Sequence, residues 1–527
     1  MDNLILIGFP GIGKDSVAAE ISKRTDIPVF STDKYIEFKE RKSISEIFAK
    51  KGESYFRKLE KEALKKAINL KDVIISTGGG IVKDSSNVEL MKKSGKIISL
   101  KCNVNELKSR LKLSETRPLI KNEKDIEKLF KERKKLYDFA DYEIDTSKKT
   151  VSDIAKSIIE NFDLKATNKS SLLHEIIQIK TKQKEYSVFT GINIVDNICI
   201  YIRQSLKNPG KIILISDPLV STLYLEKILS VLRKDFEVFY FIIKEGEENK
   251  NINTVIKIYD FLLEKRITRD DVLVALGGGI VGDITGFVAS TYKRGIGLVQ
   301  IPTTLLSQVD ASVGGKTGIN HREGKNMIGS FYQPDMIIAD VSFLKTLPEE
   351  IYRAGISEII KYGIIKDENL FKTLREKKEN VKNREAGILS HIVSKCIKIK
   401  GEIVYEDERE EKGIREILNF GHTIGHIVEA ETNYNKFSHG QAVAMGMVKE
   451  AEIANKKGLL KDKDFEEICK IISSYGLPVN IPEEISETVF LERLSQDKKV
   501  RNGKIKIPFP LKIGKAVIKE VLCKEYL

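Results

Sequence analysis

Three of the six histidines in this 527-residue chain, His422, His426 and His439, fall within 18 residues of one another. His422 and His426 are spaced i,i+4 and share one helix face, a common arrangement for divalent-metal ligands. The protease pattern His-Glu-x-x-His fails, because Thr423 stands where the Glu is required. Upstream, residues 357–363 put Glu358 and Lys361 on one helix face, which in isolation reads as a surface salt bridge. At the N-terminus, Gly8-Phe-Pro-Gly11-Ile12-Gly13-Lys14-Asp15-Ser16 follows an apolar strand and opens a helical pattern. This is phosphate-loop spacing: glycines let backbone N–H groups wrap phosphates, the helix N-terminus adds positive potential, and Lys14 reaches the β and γ phosphates. The final loop position should carry a hydroxyl for Mg²⁺, and here it is Asp15. In mid-chain, residues 271–283 read as strand, glycine turn and acidic residue, which alone is a weak dinucleotide signal. The following run, 294–334, sets Arg294, Lys316 and Lys325 among glycines, Thr303, Thr304 and Asn326. That density of cations and small donors in a glycine-rich loop suits a phosphorylated, hydroxyl-rich substrate.

The elements that must position these groups are α/β in pattern. Residues 1–160 alternate short apolar runs (4–7, 73–76, 96–100) with helical stretches, as a parallel sheet does. Residues 161–182 read as a linker. A second α/β pattern occupies 183–340, with strand-like runs at 211–217, 237–243 and 271–279. From 341 to 527 amphipathic helices dominate, which predicts a mostly helical third unit. GGGIV occurs twice, at 78–82 and 277–281, but its flanks differ, so it is recurrent glycine-turn chemistry and not a repeat.

Composition narrows the classes. With 41% hydrophobic and 31% charged residues the chain is globular in type. The net charge of +13 comes from lysines interleaved with glutamates, a solvated surface and not a nucleic-acid stripe. No apolar run approaches the roughly 20 residues of a membrane helix. Five dispersed cysteines (Cys102, Cys199, Cys396, Cys469, Cys523) without a CxxC pair predict a reducing, cytoplasmic setting.

Five further motifs occur in order in the first unit: FSTDKYIE (30–37), GESYFRKLE (52–60), STGGGIV (76–82), RLKLSETRPLI (110–120) and ERKKLYDFAD (132–141). With the phosphate loop, they make residues 1–160 resemble shikimate kinase. The resemblance implies that Arg57 and Arg133 grip the shikimate carboxylate and that Asp33 receives its hydroxyl and assists deprotonation. It also implies that Gly79 and Gly80 admit the substrate to the backbone, Arg117 closes over the transferring phosphoryl group, and Arg110 stacks on adenine. Gly11, Ile12, Gly13, Lys14, Asp15 and Ser16 would hold ATP with Mg²⁺. One departure stands out. The family reads Asp-x-Asp where this chain has Ser31-Thr32-Asp33, so a carboxylate and a hydroxyl have exchanged places between Asp15 and Ser31. The competing reading is a P-loop module that binds nucleotide without turnover.

Residues 183–527 resemble 3-dehydroquinate synthase through the run 276–334, then AGISEIIKYG, REILNFGHTIGH, FSHGQAVAMGM and SQDKKV. Here the resemblance assigns metal ligation (Zn²⁺ or Co²⁺) to Glu358, His422 and His439, and sets His426 beside the substrate. The implied NAD set is Asp217, Glu247, Lys250, Gly278, Gly279, Asp283, Thr303, Thr304, Lys325, Phe343 and Thr346. Substrate contacts would be Asp310, Lys316, Asn326, Lys361, Lys400, Arg415, Asn419, His426 and Lys498, with Arg294 reaching across a homodimer interface. The implied reaction is redox-neutral: oxidation of a heptulosonate phosphate by NAD⁺, elimination of phosphate, return of the hydride, ring opening and aldol closure. Gln441 stands where the family usually has Glu. The chain as a whole reads as a fusion of two aromatic-precursor enzymes, with small-molecule substrates and no nucleic-acid or membrane partner, and with halves expected to work independently.

Overall fold

The structure, a computed structural model, describes residues 2–111, 123–164, 171–206, 209–432, 436–485, 487–495 and 504–522. In the N-terminal unit, strands β1 (Asn3–Gly8), β2 (Val29–Ser31), β3 (Ile74–Ser76), β4 (Gly95–Lys101) and β5 (Tyr142–Asp145) form a parallel sheet in the order β2-β3-β1-β4-β5. β1 is buried along its whole length. Leu4 and Leu6 enter one core, Ile5 and Ile7 the other, as the two-residue period of a strand covered on both faces requires. The order reverses at β1, so the loops after β1, β2 and β3 open into one crevice. Helices α1 (Lys14–Thr25), α2 (Thr32–Glu40) and α3 (Ile44–Ile68) start from or flank these loops.

The second sheet runs β6 (Leu172–Lys180), β7 (Glu185–Ile192), β14 (Met336–Asp340), β11 (Gly297–Pro302), β10 (Val272–Gly277), β8 (Lys211–Ser216) and β9 (Glu237–Ile242) from edge to edge. All neighbours are parallel except β6, which pairs antiparallel with β7. β6 corrects the expected linker: residues 172–182 belong to the second unit. The mixed sequence LLHEIIQIK alternates because an edge strand buries one face only, with Ile177 and Ile179 in the core and Leu172 and Ile176 exposed. Within 294–334, much of the expected loop is strand: β11 and the hairpin β12 (Lys316–His321) and β13 (Gly324–Phe331).

The third unit is helical from Glu349 to Ser495 and ends in a hairpin, β15 (Lys504–Lys512) and β16 (Lys515–Leu522), absent from the sequence reading. Its strands alternate weakly, and Ile505, Ile507 and Phe509 join the helical core. Three helices, Glu349–Ile365, His422–Glu431 and His439–Lys456, are drawn together by missing side chains. A Cβ on Gly440 would lie 2.3 Å from Ala354 Cα, and one on Gly446 would lie 2.0 Å from the Gly421 carbonyl oxygen. Real atoms do not approach so closely, so these glycines set the interhelical distance. Gln441 forms a capping box with Ser438, its Oε1 accepting from the Ser438 N–H at 2.8 Å, so Gln serves where Glu is usual.

The N-terminal unit docks on the β8–β9 end of the second sheet. The Arg41 guanidinium donates to the Ile242 carbonyl and lies 4.7 Å from the Phe241 ring centroid. Lys71 pairs with Glu349 at 2.6 Å, and Leu219 and Leu223 pack against the N-terminal core.

Gly446→Val should force the two C-terminal metal-side helices apart. The expected cost is about 1–3 kcal/mol, the usual range for overpacking, read as a lower unfolding temperature. An unchanged transition would show that the spacing is set elsewhere.

Candidate active sites

The N-terminal crevice, about 730 Å³, is lined by Gly11, Gly13, Lys14, Asp15, Ser16, Asp33, Arg57, Gly79, Gly80 and Arg133. The left-handed Gly13 (φ 97°) turns the loop into α1. Lys14 is buried and its Nζ donates to the carbonyls of Gly8 and Phe9 at 2.9 and 3.2 Å. Arg110 donates to the Ile12 carbonyl at 3.2 Å and to Thr146, which ties the loop to the region after β5. Arg133 is 1% exposed. Its Nη1 donates to the Gly79 carbonyl, while Nε and Nη2 have no hydrogen-bond partner among the described residues. Buried guanidinium donors without acceptors are costly, and an incoming carboxylate satisfies them. Arg57 faces the same space, and a Cβ on Gly80 would fall 2.3 Å from its Nη1.

Glu60 was not singled out from the sequence. It is 1% exposed, pairs with Arg57 at 2.6 Å, and burial raises its carboxyl above the usual range. One turn separates it from Arg57, a spacing indistinguishable from a surface pair until burial is known. Asp33 lies in the first turn of α2, and its Oδ1 is buried without a hydrogen-bond partner among the described residues. Burial, then the nearby Glu60 and Asp15 charges, push it up to about 7. Ser31 Oγ accepts from the Lys34 N–H at 3.4 Å as the cap of α2, while Asp15 is exposed at the crevice. Arg117 lies outside the described residues.

In the helical unit, one ligand atom from each of Glu358, His422 and His439 lies within 4.8 Å of the others. Sequence spacing alone offered His422 with His426. Among the described residues His426 instead groups with Glu429 and His439. Glu358 is 1% exposed, and neither oxygen accepts a hydrogen bond among the described residues, although Lys361 pairs with it and His422 Nε2 sits 3.5 Å away. His422 Nδ1 faces the Phe420 carbonyl at 3.3 Å and His439 Nδ1 faces Glu429 at 3.2 Å. Each contact holds the proton on Nδ1 and leaves Nε2 available as a ligand. Burial, then the Lys361 charge, lower His422 well below the usual imidazole range, so it stays neutral. A buried carboxylate with two imidazoles whose Nε2 atoms are turned toward it fits a divalent ion with open positions. Glu429, which the sequence reading missed, sits one turn beyond His426 and has no motif of its own.

Cations surround this group. Lys400 Nζ donates to Asp310 Oδ1 at 2.8 Å, and Tyr362 OH to the same oxygen at 2.6 Å. Burial, opposed by Asp310, pulls Lys400 down to about 8. Arg415 is 2% exposed and donates to the carbonyls of Glu408 and Gly314. Lys316 is exposed and paired with Glu410, Asn419 ends the turn Ile414–Asn419, and Arg294 is exposed with φ 65°. Lys498 lies outside the described residues.

A separate cleft at the carboxyl ends of β8, β9, β10 and β11 is lined by Asp217, Gly278, Gly279, Thr303, Thr304, Phe343 and Thr346. Gly279 opens the helix Gly279–Thr291, so its N-terminus faces the cleft. The remaining residues of the expected dinucleotide set form a polar group close by. Lys250 bonds Asp283 and Asn326, both at 2.5 Å, and Glu247 accepts from Asn320 at 2.7 Å. Lys325 is exposed on β13.

His439→Ala should empty the metal group, whereas His426→Ala should keep metal, because only His439 belongs to both groupings. Metal content of the two purified variants checks this, and equal depletion would overturn the Glu358/His422/His439 set.

Comparison with known proteins identifies the domains that carry these crevices. Residues 10–163 match the family model of shikimate kinase, residues 240–354 that of the 3-dehydroquinate synthase N-terminal domain, and residues 355–500 that of its C-terminal domain. The 3-dehydroquinate synthase of Shewanella frigidimarina is 42% identical over 340 residues, 64% of this chain and 94% of that protein. The Thermodesulfovibrio yellowstonii 3-dehydroquinate synthase is 47% identical over 309 residues, 58% of this chain and 86% of that protein. Among solved structures, 2-deoxy-scyllo-inosose synthase complexed with carbaglucose-6-phosphate, NAD⁺ and Co²⁺ is similar with a TM-score of 0.61 at 25% identity, over 67% of this chain and 98% of its own. A 2-epi-5-epi-valiolone synthase from Streptomyces hygroscopicus with NAD⁺ and Zn²⁺ bound gives 0.60 at 28% identity, over 66% and 96%. The chain therefore belongs to the 3-dehydroquinate synthase family and carries a shikimate kinase domain ahead of it, a bifunctional enzyme of the shikimate pathway.

Proposed function

We propose that the N-terminal crevice transfers the γ-phosphoryl group of Mg²⁺-bound ATP to shikimate, giving shikimate 3-phosphate. We further propose that the C-terminal site converts 3-deoxy-D-arabino-heptulosonate 7-phosphate to 3-dehydroquinate and phosphate. The observation that carries both halves is one of charge: Arg133 in one site and Glu358 in the other are buried with polar atoms that no hydrogen bond among the described residues satisfies, facing space that a ligand of opposite charge fills.

In the kinase site, Arg133 and Arg57 hold the acceptor's carboxylate and Glu60 fixes Arg57. The acceptor oxygen bonds to the γ-phosphorus as the bond to ADP breaks, and its proton passes to Asp33. Lys14 balances phosphate charge, and Asp15 with Ser31 would hold Mg²⁺. In the synthase site, Glu358, His422 and His439 would hold Zn²⁺ or Co²⁺. NAD⁺ and the ion, when bound, supply reversible hydride acceptance and polarisation of the substrate hydroxyl. The chain's own residues do the rest. Lys361, Lys400 and Arg415 create the positive potential that binds the phosphorylated substrate and steadies the departing phosphate, and Asp310 orients Lys400. His426, Asn419, Lys316 and Asn326 would complete the substrate contacts, and Arg294 would serve a second copy in a homodimer. The four described cysteines are free, which supports a cytoplasmic setting. No helix among the described residues is long and apolar enough to cross a membrane. Assaying both half-reactions on the purified chain is the direct test. Phosphate release from the heptulosonate phosphate with no shikimate phosphorylation at saturating Mg²⁺ and ATP would make the N-terminal unit a nucleotide-binding module instead.

Asp33 gives a pH prediction. In the free enzyme kcat/KM for shikimate should fall about tenfold per unit below roughly pH 7, as the base is protonated. Its folded pKa lies above its unfolded value, so its contribution to stability is fully present below the unfolded pKa and is lost as pH rises through about 7. Asp33→Asn should therefore abolish phosphorylation yet unfold at a higher temperature at pH 8. Equal unfolding temperatures from pH 5 to 8 would contradict the raised pKa.

Asp15 and Ser31 give a second prediction. Like charges about 4 Å apart cost roughly 4 kcal/mol at an effective dielectric near 20, so Asp15 is tolerable beside ATP only with Mg²⁺ present. Asp15→Ser and Ser31→Asp should each impair phosphorylation, and the double change should restore much of it, a coupling of about 1–3 kcal/mol. An undiminished Asp15→Ser enzyme would rule the exchange out.

A further inference from the structure

The dinucleotide cleft is not lined by the synthase half alone: Lys66 and Leu70, at the end of α3 in the kinase half, form part of its wall. Glu245, just beyond β9, lines the same cleft. Its Oε2 accepts from the Tyr35 hydroxyl at 3.0 Å and pairs with Lys66 Nζ at 3.2 Å, and both partners come from the kinase half. Its Oε1 is buried with no hydrogen-bond partner among the described residues. Asp217 faces this group across the cleft, held up to about 6 by burial and, among the nearby charges, by Glu245, with Lys66 acting in the opposite sense.

Two carboxylates on the wall of a cleft destined for a pyrophosphate would repel it. Lys244 of the synthase half lines the cleft too, but the cation paired with Glu245 is Lys66, and it reaches the cleft only because the two halves are docked. We propose that the kinase half is a structural part of the NAD site: Lys66 offsets the charge of Asp217 and Glu245 toward the dinucleotide. With Tyr35 it also turns Glu245 so that Oε1 is left to accept a hydroxyl of the bound ligand. This rests on the assignment of the cleft to NAD. It also replaces the expectation that the synthase half carries a complete site. Tyr35 lies on α2 two residues after Asp33, and Glu37 of the same helix lines the kinase crevice. One short helix thus runs from the kinase crevice to a carboxylate on the wall of the other cleft.

The test is NAD⁺ affinity, measured by equilibrium binding on the full chain without turnover. Lys66→Glu should weaken NAD⁺ binding at least fivefold and Lys66→Ala about twofold or more. Tyr35→Phe, which keeps the buried ring, should weaken it less. Lys58→Glu makes the same charge change on an exposed part of α3 outside the cleft and should leave affinity unchanged. Unfolding temperatures establish that each variant is folded. NAD⁺ binding by Lys66→Glu and Lys66→Ala equal to that of the unmodified chain would overturn the proposal while leaving the cleft assignment standing. Equal weakening by Lys58→Glu would reduce it to net charge and overturn it as well. An unmodified chain that binds no NAD⁺ would remove the cleft assignment and the proposal together.

Discussion

Burying a carboxylate costs several kcal/mol unless a cation or a set of donors meets it, and this chain does so in every site. Glu60 in the first unit, Glu245 at the junction, Asp310 in the second and Glu358 in the third are each paired with a basic side chain. Some partners are one helical turn away, as Lys361 is from Glu358. Others come from distant segments: Lys400 meets Asp310 across 90 residues, and Lys66 meets Glu245 from another unit. The surrounding fold can be understood as what holds these pairs in register. Parallel strands deliver their loops to one edge, and glycines at helix contacts bring the third unit's helices close enough for His422 and His439 to reach Glu358. Compensation is left incomplete where ligands belong, as at the outer donors of Arg133 and both oxygens of Glu358.

The sequence made the phosphate loop, the glycine turns and the histidine cluster legible, because backbone conformation and ligand chemistry restrict which residues can stand there. β1, β3, β4, β8 and β10 all fall within a residue or two of their apolar runs, since strands buried on both faces read as continuous hydrophobic stretches, and β9 was legible from its aromatic run. β6 and the β15–β16 hairpin escaped because each buries one face only, and a half-polar strand resembles a connection. The metal group shows a different limit. Helical spacing correctly puts His422 and His426 on one face, but which of them meets Glu358 depends on how a second helix crosses the first, and only Gly440 and Gly446 hint at that. Glu60, Glu429 and Glu245 were invisible for a common reason: an acidic residue near a basic one is ordinary, and only burial makes it consequential.

The two halves carry separate crevices, and their contact does not merge them. What the contact does involve is surface. β9 is the last strand of its sheet, and the N-terminal unit covers its end: Arg41 caps the Ile242 carbonyl, and the half-buried Leu219 and Leu223 pack against the neighbouring core. A strand edge and an apolar patch of that kind are templates for self-association when bare. Cutting the chain between its domains would therefore bare that strand end and that patch, surface which the intact chain keeps covered.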